Sequence, residues 1–124
     1  MYISLHSYGQ KVLYPWSHSH KKVKDWKDLH LVGNMIRDSV MDASNGRYFF
    51  KVGTSPQINY FSNGGSDDWI RGKLGIKWVF LFELPDKQNG NYGFLLPARH
   101  IIPTGHAVFQ GLRRAALVVQ RTLI

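Results

Sequence analysis

The chain opens on an alternating, β-rich pattern. Tyr2-Ile3-Ser4-Leu5 reads as a buried strand and Lys11-Val12-Leu13-Tyr14 as a second, short one stopped by Pro15. The polar run Ser17 to Lys22 predicts an exposed loop. From about Trp26 the apolar residues Leu29, Val32, Ile36 and Val40 recur at helical spacing, with Lys27, Asp28, Asn34 and Asp38 on other faces. An amphipathic helix follows from this pattern, with a left-handed stop near Asn45-Gly46.

The aromatic stretch Arg47 to Val52 reads as a short strand, and turn-rich Gly53 to Gly65 as a long loop of the kind that often carries function. Asp67-Asp68-Trp69-Ile70 suggests a helical turn with carboxylates at its N-terminus. Ile76 to Leu84 is the strongest strand signal, a central and mostly buried one that ends in a carboxylate. Pro85 to Gly93 reads as a turn, Phe94 to Pro97 as a short apolar segment, and Ile101 to Gly105 as the lead into a last helix. That helix gathers Val108, Leu112, Ala115 or Ala116, and Val119 on one face. Strands and helices in this order predict an α/β layered architecture.

Composition narrows the functions. With 124 residues, 44% of them hydrophobic and 19% charged, the chain has enough apolar content to fold. Its apolar runs are too short to span a membrane, and its polar start lacks a signal-peptide core, so the residues themselves leave localisation unknown. Without cysteine, a metal site must be built from His, Asp or Glu. The net charge of +8 suggests anionic partners, yet the cations are dispersed and no nucleic-acid motif accompanies them. The partners expected therefore include no nucleic acid and no membrane.

Three places can carry chemistry. His6 ends a strand, where α/β sheets bind ligands, although a lone His there is more often structural. Glu83, in an apolar strand, must pair with a cation or act as a base. Asp67 and Asp68 follow the flexible Gly64-Gly65 turn, where in isolation they read as ordinary acidic residues of a helix start. His18, His20, His100 and His106 lack HExxH or HxxE spacing and are read as surface residues.

Taken together, these segments resemble zinc carboxypeptidases of the carboxypeptidase A/B family. The resemblance is carried by Tyr2 to Gln10 with Leu13-Tyr14-Pro15-Trp16, Tyr60, Gly64-Gly65-Ser66-Asp67-Asp68-Trp69 and Gly75-Ile76-Lys77-Trp78. It continues through Phe82-Glu83-Leu84, Tyr92 to Pro97 and Ile101-Ile102-Pro103-Thr104, in the family's order. It runs over residues 1–124 as one partial peptidase domain, the C-terminal part of a longer catalytic domain. The implied fold is α/β, the C-terminal portion of a mixed-sheet zinc carboxypeptidase fold with helices packed on the sheet.

The resemblance also implies roles. His6 corresponds to a zinc ligand, Ser7 and Tyr8 to residues lining the substrate cleft, and Tyr60 to the mobile tyrosine that closes over the substrate's C-terminal residue. Asp67 corresponds to the base of the specificity pocket, as in carboxypeptidase B, and implies C-terminal Lys or Arg substrates. Glu83 corresponds to the general base on zinc-bound water, and Phe94 to a hydrophobic wall. Asn59 departs from the hydrophobic residue usual before the mobile tyrosine, Pro85 from a common Arg, and His106-Ala107 from frequent acidic residues.

The family's first two zinc ligands, in an HxxE motif, and its substrate-clamping arginines precede the matched part. The implied cofactor is therefore zinc with one of three expected ligands present, and the implied partners are a peptide or protein C-terminus and the missing N-terminal half of the catalytic domain. The chain alone is expected to be inactive, its sheet edge to invite self-association, and its parent to be secreted. The alternative is a non-catalytic carboxypeptidase-like module that binds a peptide or protein.

Overall fold

Four strands, β1 (Tyr2–Ser7), β2 (Lys11–Leu13), β3 (Lys51–Gly53) and β4 (Val79–Leu84), form one mixed sheet in the order β1-β4-β2-β3. The computed structural model describes residues 1–86 and 92–122. β4 runs parallel to β1 and antiparallel to β2, and β2 runs parallel to β3. The helices are α1 (Trp26–Ala43), the four-residue α2 (Ser55–Ile58), α3 (Ser66–Leu74) and α4 (Ile101–Arg121). This mixed sheet with packed helices is the expected fold class.

Side chains alternate between the two faces of a strand, so the register assigns each face. Ile3, Leu5 and Ser7 pair with Phe80, Phe82 and Leu84, and Val12 also pairs with Phe82. At Ile3, Val12, Phe80 and Phe82 this face meets the core that Leu29, Val32, Ile36 and Val40 of α1 and Ala107, Val108, Ala115 and Val119 of α4 complete, while Leu5 and Ser7 at the edge stay exposed. His6, Glu83, Lys11 and Lys51 align side by side on the opposite face. A strand that buries phenylalanines on one face thereby presents its carboxylate on the other.

α1 and α4 touch where α4 has no side chain. A Cβ at Gly111 would stand 2.7 Å from Cγ2 of Val40 and 3.1 Å from Cγ2 of Ile36, closer than packed carbons tolerate. α1 stops as expected, with Asn45 and Gly46 at positive φ and the Gly46 N–H donating to the Met41 carbonyl. Burial pushes the Tyr14 phenol above its ordinary pKa, and its hydroxyl sits 3.2 Å from His30 Nδ1.

Several expectations change. β1 is an edge strand, its second half exposed, whereas Tyr2 to Leu5 reads as buried; alternation reveals the faces of a strand but not how many neighbours it has. The Arg47 to Val52 strand shrinks to Lys51–Gly53, and the Gly53 to Gly65 loop contains α2. The helical turn at Asp67 is nine residues of helix. α4 begins at Ile101, before Gly105, because Pro103 lies in the first turn, where its missing N–H has no intrahelical partner to lose.

Ser17, expected in an exposed loop, and His100, expected on the surface, are both buried. His100 packs beside the Tyr92 ring at the start of α4. Of the expected Pro85 to Gly93 turn, residues 87–91 lie outside the described residues. Among the described residues no helix is long and apolar enough to cross a membrane.

Candidate active site

β1 and β4 run parallel, so both chain directions deliver their last residues to one end of the sheet. His6 and Glu83 are direct partners there, and His6 Nδ1 lies 3.3 Å from Glu83 Oε2, within reach of an N–H donated to the carboxylate. Glu83 is 7% exposed, so this contact, together with its opening to a cleft, answers the cost of placing a carboxylate in an apolar strand. The His6 side chain is 61% exposed and accessible to a ligand.

That end of the sheet opens into a cleft of about 320 Å³. His6, Ser7, Tyr8, Tyr60, Glu83 and Phe94 line it, six of the seven site residues expected from sequence, together with Lys11 and Asn59. Tyr8 and Phe94 build one wall as an edge-to-face pair with ring centroids 4.9 Å apart. Tyr60 is 63% exposed on the segment after α2, tethered through its carbonyl, which accepts from Ser55 Oγ at 2.7 Å.

Asp67, the seventh, does not line this cleft. It is 1% exposed in the first turn of α3, where the helix dipole favours a carboxylate, and its Oδ2 accepts a 2.7 Å hydrogen bond from Ser17 Oγ. Gly65 makes this possible, since a Cβ there would collide with Asp67 Oδ1. No cation pairs with Asp67 among the described residues. Asp68 instead fixes the loop, accepting from the backbone N–H groups of Ser17 and His18 and contacting the His18 ring.

Sequence reasoning missed Ser17 and Lys11. Ser17 lies fifty residues from Asp67, a separation that hides the contact. Lys11 reads as a strand residue, and its place beside Glu83 follows from a strand register that local pattern does not contain. Among the described residues no three His, Asp or Glu side chains converge on one point, so His6 stands as a single prospective metal donor. As an exposed imidazole with a carboxylate beside it, it suits zinc as one member of a larger donor set.

Comparison with known proteins identifies the family. The zinc carboxypeptidase family matches residues 1–111, and the chain belongs to that family. It is 39% identical over 122 residues to carboxypeptidase B of Astacus astacus, covering 98% of this chain and 39% of that protein. It is 41% identical over 123 residues to carboxypeptidase B2 of Homo sapiens, covering 98% of this chain and 28% of the relative.

A structure of bovine thrombin-activatable fibrinolysis inhibitor in complex with tick carboxypeptidase inhibitor superposes with a TM-score of 0.86 at 38% identity, over 97% of this chain and 40% of that one. Carboxypeptidase A from Helicoverpa armigera shares the fold, with a TM-score of 0.84 at 23% identity, over 93% of this chain and 28% of its own. The chain thus spans about two fifths or less of the relatives it matches.

Proposed function

We propose that this chain supplies the C-terminal part of the active site of a zinc-dependent carboxypeptidase that removes C-terminal Lys or Arg from peptides or proteins outside the cell. The observation that supports it most is the His6–Glu83 pair at the mouth of a cleft walled by Tyr8, Tyr60 and Phe94. His6 is one zinc donor in this reading. A catalytic zinc takes three protein ligands, so the other two come from outside the described residues, as do the arginines that clamp the substrate.

When bound, zinc acidifies a water and polarises the scissile carbonyl. Glu83, held at the end of a packed strand, receives the proton of the attacking water on its carboxylate and passes it to the leaving amine nitrogen. His6 steadies that carboxylate. Tyr60 covers the bound end of the peptide, and the Tyr8–Phe94 wall keeps bulk water from it. Asp67, buried and with no cation partner among the described residues, is suited to select a Lys or Arg side chain: a cation pairs with it, and an apolar side chain leaves it without one.

Two outcomes follow. The chain by itself, supplied with zinc, is expected to release no lysine from hippuryl-lysine; release that a chelator stops would contradict the shared-site reading. Joined to the N-terminal part of the Astacus catalytic domain, the protein is expected to prefer hippuryl-lysine over hippuryl-phenylalanine. Asp67→Asn should cut that preference by about a hundredfold, as expected for an unpaired buried cation. An unchanged preference would remove Asp67 from specificity.

The alternative reading is a non-catalytic carboxypeptidase-like module that binds a peptide or protein. Calorimetric titration of the chain with a lysine-terminated peptide separates the two. Tight binding without zinc, combined with no turnover in the joined protein, supports the module.

A further inference from the structure

The cleft holds a cation to which the family's roles give no task. We propose that Lys11 is a specificity residue that anchors a carboxylate of the bound peptide, an inference that rests on reading this cleft as a peptide site. In register Lys11 is the partner of Glu83, yet its ammonium forms no ion pair among the described residues. Glu83 is engaged by His6 on its other side, and Lys11 Nζ donates to Asn59 Oδ1 at 2.8 Å.

The Asn59 hydrogen bond positions the ammonium, and Gly9 leaves room for it. Gly9 lies against it: a Cβ there would stand 2.9 Å from Lys11 Nζ, and Gly9 itself is fixed by its N–H donating to the Leu84 carbonyl at 2.9 Å. Asn59 belongs to the segment that carries Tyr60, so the hydrogen bond ties β2 to the residue beside the cleft's tyrosine.

An ammonium has three N–H donors, and Asn59 takes one. The remaining donors sit in a cleft with aromatic walls, where a charge-assisted hydrogen bond is stronger than in water. Lys51, the partner of Lys11 on β3, adds positive potential on the same face. This chemistry suits a carboxylate, from either the peptide terminus or an acidic side chain.

The test is calorimetric titration of the full 124-residue chain without zinc. The probes are acetyl-Gly-Lys as free acid and as amide, and the amides of acetyl-Gly-Glu and acetyl-Gly-Gln. The chain is expected to bind an acid roughly tenfold or more tightly than its neutral counterpart, in line with a charge-assisted contact. Lys11→Met should erase that ratio and Lys11→Arg should keep it, with thermal unfolding unchanged in both.

A lost acid-to-amide ratio identifies the terminal carboxylate, and a lost Glu-to-Gln ratio the side chain. A ratio near one in the parent chain, a ratio that survives Lys11→Met, or no binding of any probe overturns the proposal. Should Lys11→Met fail to fold, Lys11→Gln is read in its place by the same criteria. Because zinc is absent throughout, a joined protein without turnover would sink the catalytic reading while leaving a Lys11-dependent ratio standing.

Discussion

Glu83→Gln, introduced into the chain joined to the N-terminal part of a relative's catalytic domain, is expected to lower kcat for release of C-terminal lysine by about 10²–10⁴-fold. KM should change little, because the lost interaction belongs to the transition state. The amide keeps the size of the carboxylate and can still face His6, but it cannot accept the proton of an attacking water. The substitution also removes a charge that is 7% exposed, so folding should be unharmed or slightly improved. Steady-state kinetics with zinc content measured in parallel checks this. A variant with more than a tenth of the parent kcat at equal zinc content would exclude Glu83 as the base.

The second large effect concerns the sheet that presents Glu83. Phe82→Ala is expected to destabilise the chain by about 3–5 kcal/mol. Phe82 is fully buried, pairs with Leu5 on β1 and Val12 on β2, and meets the Phe50 ring edge-on at a centroid distance of 6.4 Å. Truncation removes a ring from the middle of the central strand, and neighbours fixed by backbone pairing on both sides cannot collapse into the gap. Domains of this size are stable by roughly 5–15 kcal/mol, so much of the margin disappears. Urea unfolding followed by circular dichroism measures it, and a loss below about 1 kcal/mol would mean that this core is not packed as described.

What the sequence conveyed divides along physical lines. The helical period of Leu29, Val32, Ile36 and Val40 and the apolar run ending at Glu83 specify elements whose burial is local in origin, and both are found. The side on which Glu83 points is implied by alternation. Its meeting with His6 is not, because that contact joins residues 77 apart through strand pairing that no window of sequence contains. The motif resemblance assigns both residues to one zinc site, and the strand pairing shows the contact itself.

The same limit explains the misreadings. Tyr2 to Leu5 has the composition of an interior strand but occupies an edge, with Leu5 facing solvent beside an apolar groove formed with Phe94, Val108 and Phe109. Ser17 lies in a polar stretch yet is buried, because the carboxylate it serves comes from α3. Ile101 to Gly105 reads as a lead into the last helix, although with Pro103 tolerated in the first turn it already belongs to α4. Lys11 carries no local signal at all; register alone places it beside Glu83.

The central claim is that His6 and Glu83 form one part of a zinc carboxypeptidase site completed by a preceding segment. Release of lysine from hippuryl-lysine by the joined protein, with and without a chelator, tests it most directly. The account predicts zinc-dependent release that the chelator abolishes and added zinc restores. A folded joined protein that binds one zinc and releases no lysine would contradict it.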